Sequence, residues 1–498
     1  MGAMSAEQAL EIAADHHRSG RLGPARAIYE QVLQQLPDQP VALHLLGLVN
    51  AQEGQIDQAV LLIRRAIEAW PNDVNFHANL AQILKNAGKI DAAADAYQNA
   101  LALAPERSDL HFGLGNVRRL QARIPEAMAE YHETLRLDPS HAPALNNLGN
   151  CLLNAGNPGE ALELLRRAVE LNPDDYLALA SLGTALRQLG RNPEAIACFR
   201  RAITLHPGDP RLHVIAGDAL RDEKCFADAA AGYRAALALD GDRVDVRLNL
   251  ALSLWDSDQL DAALDVCRKL LERWPGHVPA WTNLALMLLD SGQITEAIAS
   301  LSKAVDLDPA DAELHGKLIY MKFFDPRTTP HSSRNDLAEW NRRHGVRETT
   351  TPYHVLPTPH RRLRIGYVSP DFRQHVVGRN ILPLLRNHDH SAFEIFCYSS
   401  NRAHDLLTDE FRRLADYFHV IAGESDEQAA ARICDDRIDI LVDLAVHTSG
   451  NRLGIFARKP APVQATFAGY PGSTGLATID YRITDPYLDP PRSPGRDL

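Results

Sequence analysis

The chain has 498 residues, a formal net charge of −12, and 45% hydrophobic and 23% charged residues. That length exceeds one compact core, so a repeat array or several domains is predicted. The acidic balance excludes general nucleic-acid binding, which needs a basic footprint, and no run of about 18 apolar residues is present to span a membrane.

The N-terminal M-G-A-M-S-A-E-Q lacks the apolar run of a signal peptide. The six cysteines at 151, 198, 225, 267, 397 and 434 form no CxxC pair, as expected of a reducing, cytoplasmic setting. From residue 5 to about 310 the sequence repeats every 34 positions. One unit, Ser140 to Pro173, reads as two amphipathic helices across the break Ala155-Gly156-Asn157-Pro158. Neither helix can bury its apolar face alone, so the unit needs copies. The break falls at Gly20, Gly54, Gly88, Ala122, Gly156, Gly190, Lys224, Asp258 and Gly292. Glycine suits it because the chain must leave the first helix through a conformation that a Cβ disfavours. Five residues on comes alanine every time, from Ala25 to Ala297, where two helices are expected to cross closely. Proline then ends the second helix, at Pro37, Pro71, Pro105, Pro139, Pro173, Pro207, Pro275 and Pro309, with Gly241 in the remaining unit. A bulky column (Tyr29, Ile63, Tyr97, Tyr131, Leu165, Phe199, Tyr233, Cys267, Leu301) is expected to fill the gap to the next repeat. A small column runs through Gly47, Ala81, Gly115, Gly149, Gly183, Gly217, Ala251 and Ala285.

One position of the first helix reads Leu45, Asn79, Gly113, Asn147, Ser181, Ile215, Asn249 and Asn283. A ladder of amides can donate to and accept from an extended peptide backbone. The same asparagines can equally satisfy solvent or a neighbouring helix end. The pairs Arg64-Arg65, Arg166-Arg167 and Arg200-Arg201 fall late in second helices, where cations suit the negative end.

Past Pro309 the period is lost. Residues 311–361 read as a helical junction and linker: Thr328–Ser333 as a loop, then a helix capped by Asn335 or Asp336 and reaching Arg343. From 362 to 498 short apolar runs alternate with helical stretches. Strands are expected at 363–368, 393–398, 417–421, 438–444, 462–467 and 481–484, and helices near 378–387, 404–415, 426–436 and 451–458. This alternation predicts a parallel sheet covered on both faces, with ligands at the carboxyl ends of its strands. Three loops fall at such ends: Ser369 to Gly378 with His375, Ala445 to Arg452 with His447 and Thr448, and Gly469-Tyr470-Pro471-Gly472-Ser473-Thr474-Gly475. Glycines let backbone N–H groups approach phosphate or sugar oxygens, and histidine can move a proton near neutral pH. Singly, each also has a plainer reading: a solvated loop histidine, a satisfied buried histidine and a tight turn.

The 34-residue unit is similar to the tetratricopeptide repeat, which implies a right-handed all-α superhelix with a concave groove. The runs R-I-G-Y-V-S-P-D-F-R-Q-H, I-L-V-D-L-x-x-H-T-S-G-N-R and R-K-P-A-P-V-Q-A-T-F-A-G-Y-P-G-S-T-G, followed by D-Y-R-I-T-D, resemble the protein O-GlcNAc transferase family. Plant Spindly-type protein O-fucosyltransferases share them. The resemblance implies a repeat array joined to a Rossmann-like lobe, the first half of a GT-B fold. It also implies metal-free inverting transfer from a nucleotide sugar, UDP-GlcNAc for the first group, to serine or threonine hydroxyls. His375 then matches a family histidine near the sugar nucleotide, open between base and diphosphate or sugar contact. Gly469 to Gly475, His447 and Thr448 match cleft-lining loops, and Asn79, Asn147, Asn249 and Asn283 match groove asparagines that bind acceptor peptide. Val446 departs from the family, where many members have glycine. About 136 residues follow Leu363, room for one lobe, so the chain reads as lacking the family's second lobe, and a non-catalytic peptide-binding scaffold is the alternative.

Overall fold

The computed structural model describes residues 5–345, 361–467, 469 and 472–484. The chain forms two compact units, 1–246 and 247–498.

In the first unit, helices of 13 and 14 residues alternate strictly from Ala6–Arg18 and Leu22–Gln35 to Pro210–Asp222 and Phe226–Leu239. The sequence columns explain the pairing. Ala25, Ala59, Ala93, Ala127, Ala161, Ala195 and Ala229 are all 0% exposed, so the two helices of a pair meet where only a methyl group fits. The break residue is left-handed, with φ +79° at Gly156, and Ala122 and Lys224 adopt the same conformation at +59° and +60°.

One expectation is corrected in part. The bulky column packs first inside its own helix pair, and it also reaches the next where Tyr97 would meet a Cβ on Gly113 at 2.5 Å. A Cβ added to Gly115 would lie 2.7 Å from Tyr131, one on Gly149 2.7 Å from Leu165, and one on Gly183 2.4 Å from Phe199. Small and large residues sixteen positions apart therefore form one complementary contact.

The joints between pairs are closed by hydrogen bonds to the turns that end the second helices. The carbonyl of the helix-ending proline accepts from a ring N–H six residues on: His77 to Pro71 at 2.8 Å, His111 to Pro105 at 3.0 Å and His213 to Pro207 at 3.0 Å. Elsewhere an arginine of the following pair does this, Arg65 to Pro37 at 2.9 Å and Arg167 to Pro139 at 2.7 Å. Arg65 and Arg167, the second members of two arginine pairs, thus bind a specific preceding turn, which satisfies carbonyls that helix ends leave open.

The second unit continues the pattern with Val244–Asp256 and Leu260–Arg273, then Val278–Asp290 and Ile294–Leu307. Two helices follow, Ala312–Lys322 and Pro330–His344. The second begins earlier than expected. Thr329 caps it by accepting from Ser332 N–H at 3.1 Å, with Pro330 in the first turn, so neither Asn335 nor Asp336 is the cap.

Six strands follow, β1 (Leu363–Ser369), β2 (Phe393–Ser399), β3 (Tyr417–Val420), β4 (Ile440–Asp443), β5 (Val463–Thr466) and β6 (Tyr481–Arg482). They form one parallel sheet in the order β3-β2-β1-β4-β5-β6. The helices Val376–Arg386, Leu406–Leu414, Asp426–Asp435 and Leu453–Ala457 connect the strands. Ile365, Tyr367, Ile395 and Val442 pack on one face with Phe372, Ile381 and Phe411. Val368, Phe396, Tyr398 and Leu441 pack on the other with Phe456, Ile319, Leu337 and Trp340. The junction helices are therefore part of the lobe's core.

Candidate active site at the carboxyl edge of the sheet

In this strand order the chain runs outward one way from β1 and the other way from β4. The carboxyl ends of these neighbours form a topological switch point, where open parallel sheets take their ligands.

The loop after β1 is held from below. Ser369 is 0% exposed, and its Oγ accepts from Asp371 N–H at 3.0 Å. Phe372 is buried edge-on against Phe411, ring centres 5.2 Å apart. Two tight turns follow, Arg373 N–H to Asp371 O and His375 N–H to Arg373 O, each 2.7 Å. Gly378 permits this fold, since a Cβ there would lie 2.3 Å from Arg373 O and 2.6 Å from Asp371 O. His375 then caps the helix Val376–Arg386, its Nδ1 accepting from Val377 N–H at 3.3 Å. The same Nδ1 lies 3.3 Å from Asp371 Oδ2. Nε2 has no partner among the described residues, and the side chain is 38% exposed. Asp371 is buried, and burial pushes its carboxyl above the usual carboxylate range against the opposing pull of His375 and Arg373.

The loop after β4 hangs on Asp443, which is 1% exposed. Its carboxylate accepts from Ala445 N–H at 3.1 Å, Val446 N–H at 2.9 Å and Thr466 Oγ1–H at 2.8 Å. Burial pushes this carboxyl up, and the three donors pull it back. The turn puts Val446 at φ +54°, which explains the family glycine there: the position is left-handed.

His447 differs from its expected cleft-lining role. It is 0% exposed, and its Nε2–H donates to Thr474 O at 2.9 Å. Trp340 stands edge-on to it at 5.0 Å, and Nδ1 is buried without a partner. Burial pushes its pKa down to about 4, so the ring is neutral near pH 7. Thr448 likewise commits its hydroxyl to Ala445 O at 2.7 Å. His447 thus ties the β4 loop to the glycine-rich loop, and Thr448 braces the β4 loop on itself.

The glycine-rich loop follows β5. Gly469 sits against the β4 loop, where a Cβ would lie 2.6 Å from Val446 Cγ2. Gly472 is buried, Ser473 exposed and Thr474 3% exposed. Gly475, at φ +72°, packs against Leu337. Tyr470 and Pro471 lie outside the described residues. The β1 loop joins this group through Pro370, 3.1 Å from where a Cβ on Gly450 would be. Glu313, on the helix Ala312–Lys322, accepts from Ser449 Oγ at 3.2 Å and Gly450 N–H at 3.3 Å.

The edge therefore brings the three loops together and leaves His375 as its partly exposed ionisable ring. Asp371, Asp443, Glu313 and Trp340 escaped the sequence reading. The available signals were an aspartate four residues before His375 and one ending an otherwise apolar strand.

In the repeats, Asn79 and Asn147 are half-buried. Their amides donate to His44 Nε2 and Asn116 Oδ1, both at 2.9 Å. Ser181 instead bonds Leu177 O of its own helix at 2.9 Å. Asn249 and Asn283 take the equivalent half-buried position in the second unit.

Residues 348–493 match the Glycosyl transferase family 41 model, and tetratricopeptide-repeat models match residues 16–83 and, in overlapping pairs, 79–312. A probable UDP-N-acetylglucosamine–peptide N-acetylglucosaminyltransferase SPINDLY of Arabidopsis thaliana is 42% identical over 145 residues, 28% of this chain and 16% of that protein. A UDP-N-acetylglucosamine–peptide N-acetylglucosaminyltransferase of Caenorhabditis elegans is 36% identical over 136 residues, 26% of this chain and 12% of that protein. The chain thus matches under a fifth of these relatives' length. A solved Thermobaculum terrenum O-GlcNAc transferase mutant aligns with 28% identity and a TM-score of 0.38, over 70% of this chain and 54% of that one. Matches to tetratricopeptide-repeat models thus precede a match to the Glycosyl transferase family 41 model in one chain.

Proposed function

With a family 41 segment fused to tetratricopeptide repeats as the premise, we propose that the chain acts in protein O-glycosylation. It transfers N-acetylglucosamine from UDP-GlcNAc to a serine or threonine hydroxyl of an extended polypeptide, with inversion and without a resident metal. The observation that carries the reading is His375, partly exposed with an unpartnered Nε2 in the β1 loop at the switch point of this segment. In the proposed step the acceptor oxygen bonds to the anomeric carbon as the bond to the diphosphate breaks. Nε2 takes the hydroxyl proton, and the diphosphate leaves with the bonding pair. The repeats supply the acceptor through the amides of Asn79, Asn147, Asn249 and Asn283, and the site of action is cytoplasmic. Free cysteines support that compartment, and among the described residues no helix is long and apolar enough to cross a membrane.

Incubation with a serine-rich peptide and either UDP-GlcNAc or GDP-fucose, read by mass spectrometry, tests the reading. An N-acetylhexosamine on a hydroxyl, lost in His375→Ala, is expected. A deoxyhexose from GDP-fucose instead makes the chain a fucosyltransferase. Peptide binding without transfer favours a second reading, a non-catalytic repeat scaffold, which rests on the half-buried amides of Asn79 and Asn147.

A further inference from the structure

Two partners compete for one nitrogen of His375. Nδ1 lies 3.3 Å from Val377 N, whose N–H it accepts, and 3.3 Å from Asp371 Oδ2. A ring nitrogen cannot accept from the amide and donate to the carboxylate together. The two arrangements leave opposite chemistry at Nε2, the only ring nitrogen free to meet a substrate.

We infer that Asp371 is the positioning residue that makes His375 a proton acceptor, by holding the ring in its Nδ1–H form against the competing amide of Val377. The inference rests on the function proposed above and names a residue that acts through His375.

Proton bookkeeping fixes the consequence. With one proton shared by the pair, an ionised Asp371 takes Nδ1–H and Nε2 carries a lone pair. With two protons, whether as imidazolium and carboxylate or as neutral acid and neutral ring, Nε2 bears hydrogen and can only donate. Loss of one proton from the pair therefore converts Nε2 from donor to acceptor. Taking the acceptor's hydroxyl proton during transfer returns it to the donor form. Without Asp371, the amide of Val377 claims Nδ1, and the neutral ring carries its hydrogen at Nε2, the wrong place for a base.

The surroundings suit this role. Asp371 is 7% exposed, so little water competes for its carboxylate. The loop around it is fixed by Ser369 Oγ on Asp371 N–H and by close packing of Asp371 O and Arg373 O over Gly378. Arg373 is the other charged group facing the carboxylate, with Nη2 3.8 Å from Oδ1. It favours the ionised form without occupying Oδ2. Asp405, which reaches the loop from the start of the helix Leu406–Leu414, is engaged with the N–H groups of Gln374, Leu407 and Thr408.

The test reads the tautomer directly. The full chain is labelled with ¹⁵N-histidine, and long-range ¹H–¹⁵N spectra are recorded at roughly pH 8, above the ordinary histidine range. The His375 signal is assigned by its loss in His375→Gln. Wild type should show a protonated Nδ1 and a bare Nε2 at His375. Asp371→Asn should show the reverse, and Asp371→Glu should restore the wild-type pattern. The Nε2–H pattern of His447 in the same spectrum reports that the lobe is folded. A wild-type ring protonated at Nε2 overturns the inference by itself, even if Asp371→Asn fails to fold, and so does an unchanged tautomer in a folded Asp371→Asn. The spectrum is independent of turnover. An Nδ1–H ring in a chain that transfers no sugar would sink the proposed function and leave the Asp371 assignment standing.

Discussion

Val446 shows how one residue shapes the site. A β-branched side chain at φ +54° is strained, and three hydrogen bonds to Asp443 hold the turn around it. Replacing Asp443 with alanine strands three buried donors, at roughly 1 kcal/mol or more each. Asp443→Ala should therefore lower lobe stability by about 3 kcal/mol in chemical denaturation, and Asp443→Asn, which keeps an acceptor oxygen, by clearly less. The left-handed breaks between helices give a milder case. Lys224 is exposed at φ +60°, so Lys224→Gly should stabilise its helix pair by ~0.5–1 kcal/mol, strain relief outweighing glycine's extra unfolded-state freedom. Gly156→Ala, at φ +79° with open space around it, should cost about 1 kcal/mol from conformation alone. Hydrogen exchange of the amides in each pair reads both. The sequence showed where such turns fall, because glycine recurs there. It did not show that Asp443 anchors one, because an aspartate ending an apolar strand looks the same whether its partners are water or backbone.

At the scale of elements, the helices Ala312–Lys322 and Pro330–His344 are the least expected feature. Read as a junction, they instead place Trp340, 1% exposed, between the sheet and His447, with its Nε1–H on Ala312 O at 3.0 Å. His315 and His344 meet beside it at 3.1 Å. Burial lowers the pKa of both His315 and His447 to about 4. The unfolded chain then binds protons that the folded one does not between about pH 6.5 and about 4. The stability of this unit is full above that window and falls as pH drops through it, by up to ~1.4 kcal/mol per pH unit for each histidine. Denaturation midpoints taken across the window should show this slope, and His447→Gln should reduce it. The strands were legible because each is a short apolar run between turn residues. Their ends moved where side chains intervened: His375 starts its helix at Val376, and Asp439 accepts from Arg364 N–H at 2.8 Å just before β4. The role of Trp340 was hidden because His447, against which it stands, lies more than a hundred residues further along the chain.

Across the whole molecule, what repeats was readable and what converges was not. A 34-residue period writes each contact many times over, so alanine, proline and glycine columns alone reveal the helix pairs. The site is written once, by loops that meet only after the sheet forms, and sequence order alone could not separate the exposed His375 from the buried His447. The asparagines stand between these cases, periodic in sequence but ambiguous in role. Each of Asn79 and Asn147 spends an N–H on the preceding repeat, which aims the amide and leaves its oxygen for a ligand. Replacing both with alanine therefore removes a joint and a contact together, and the two losses are measurable separately. Stability should fall by ~1 kcal/mol per bond. Peptide affinity, by fluorescence anisotropy, should fall about tenfold or more if each amide also contributes ~1 kcal/mol to binding. Backbone recognition further requires that peptides of unrelated sequence lose affinity by the same factor. A loss confined to one sequence would assign these amides to side-chain selection, and a stability loss with affinity intact would leave them only the work of joining repeats.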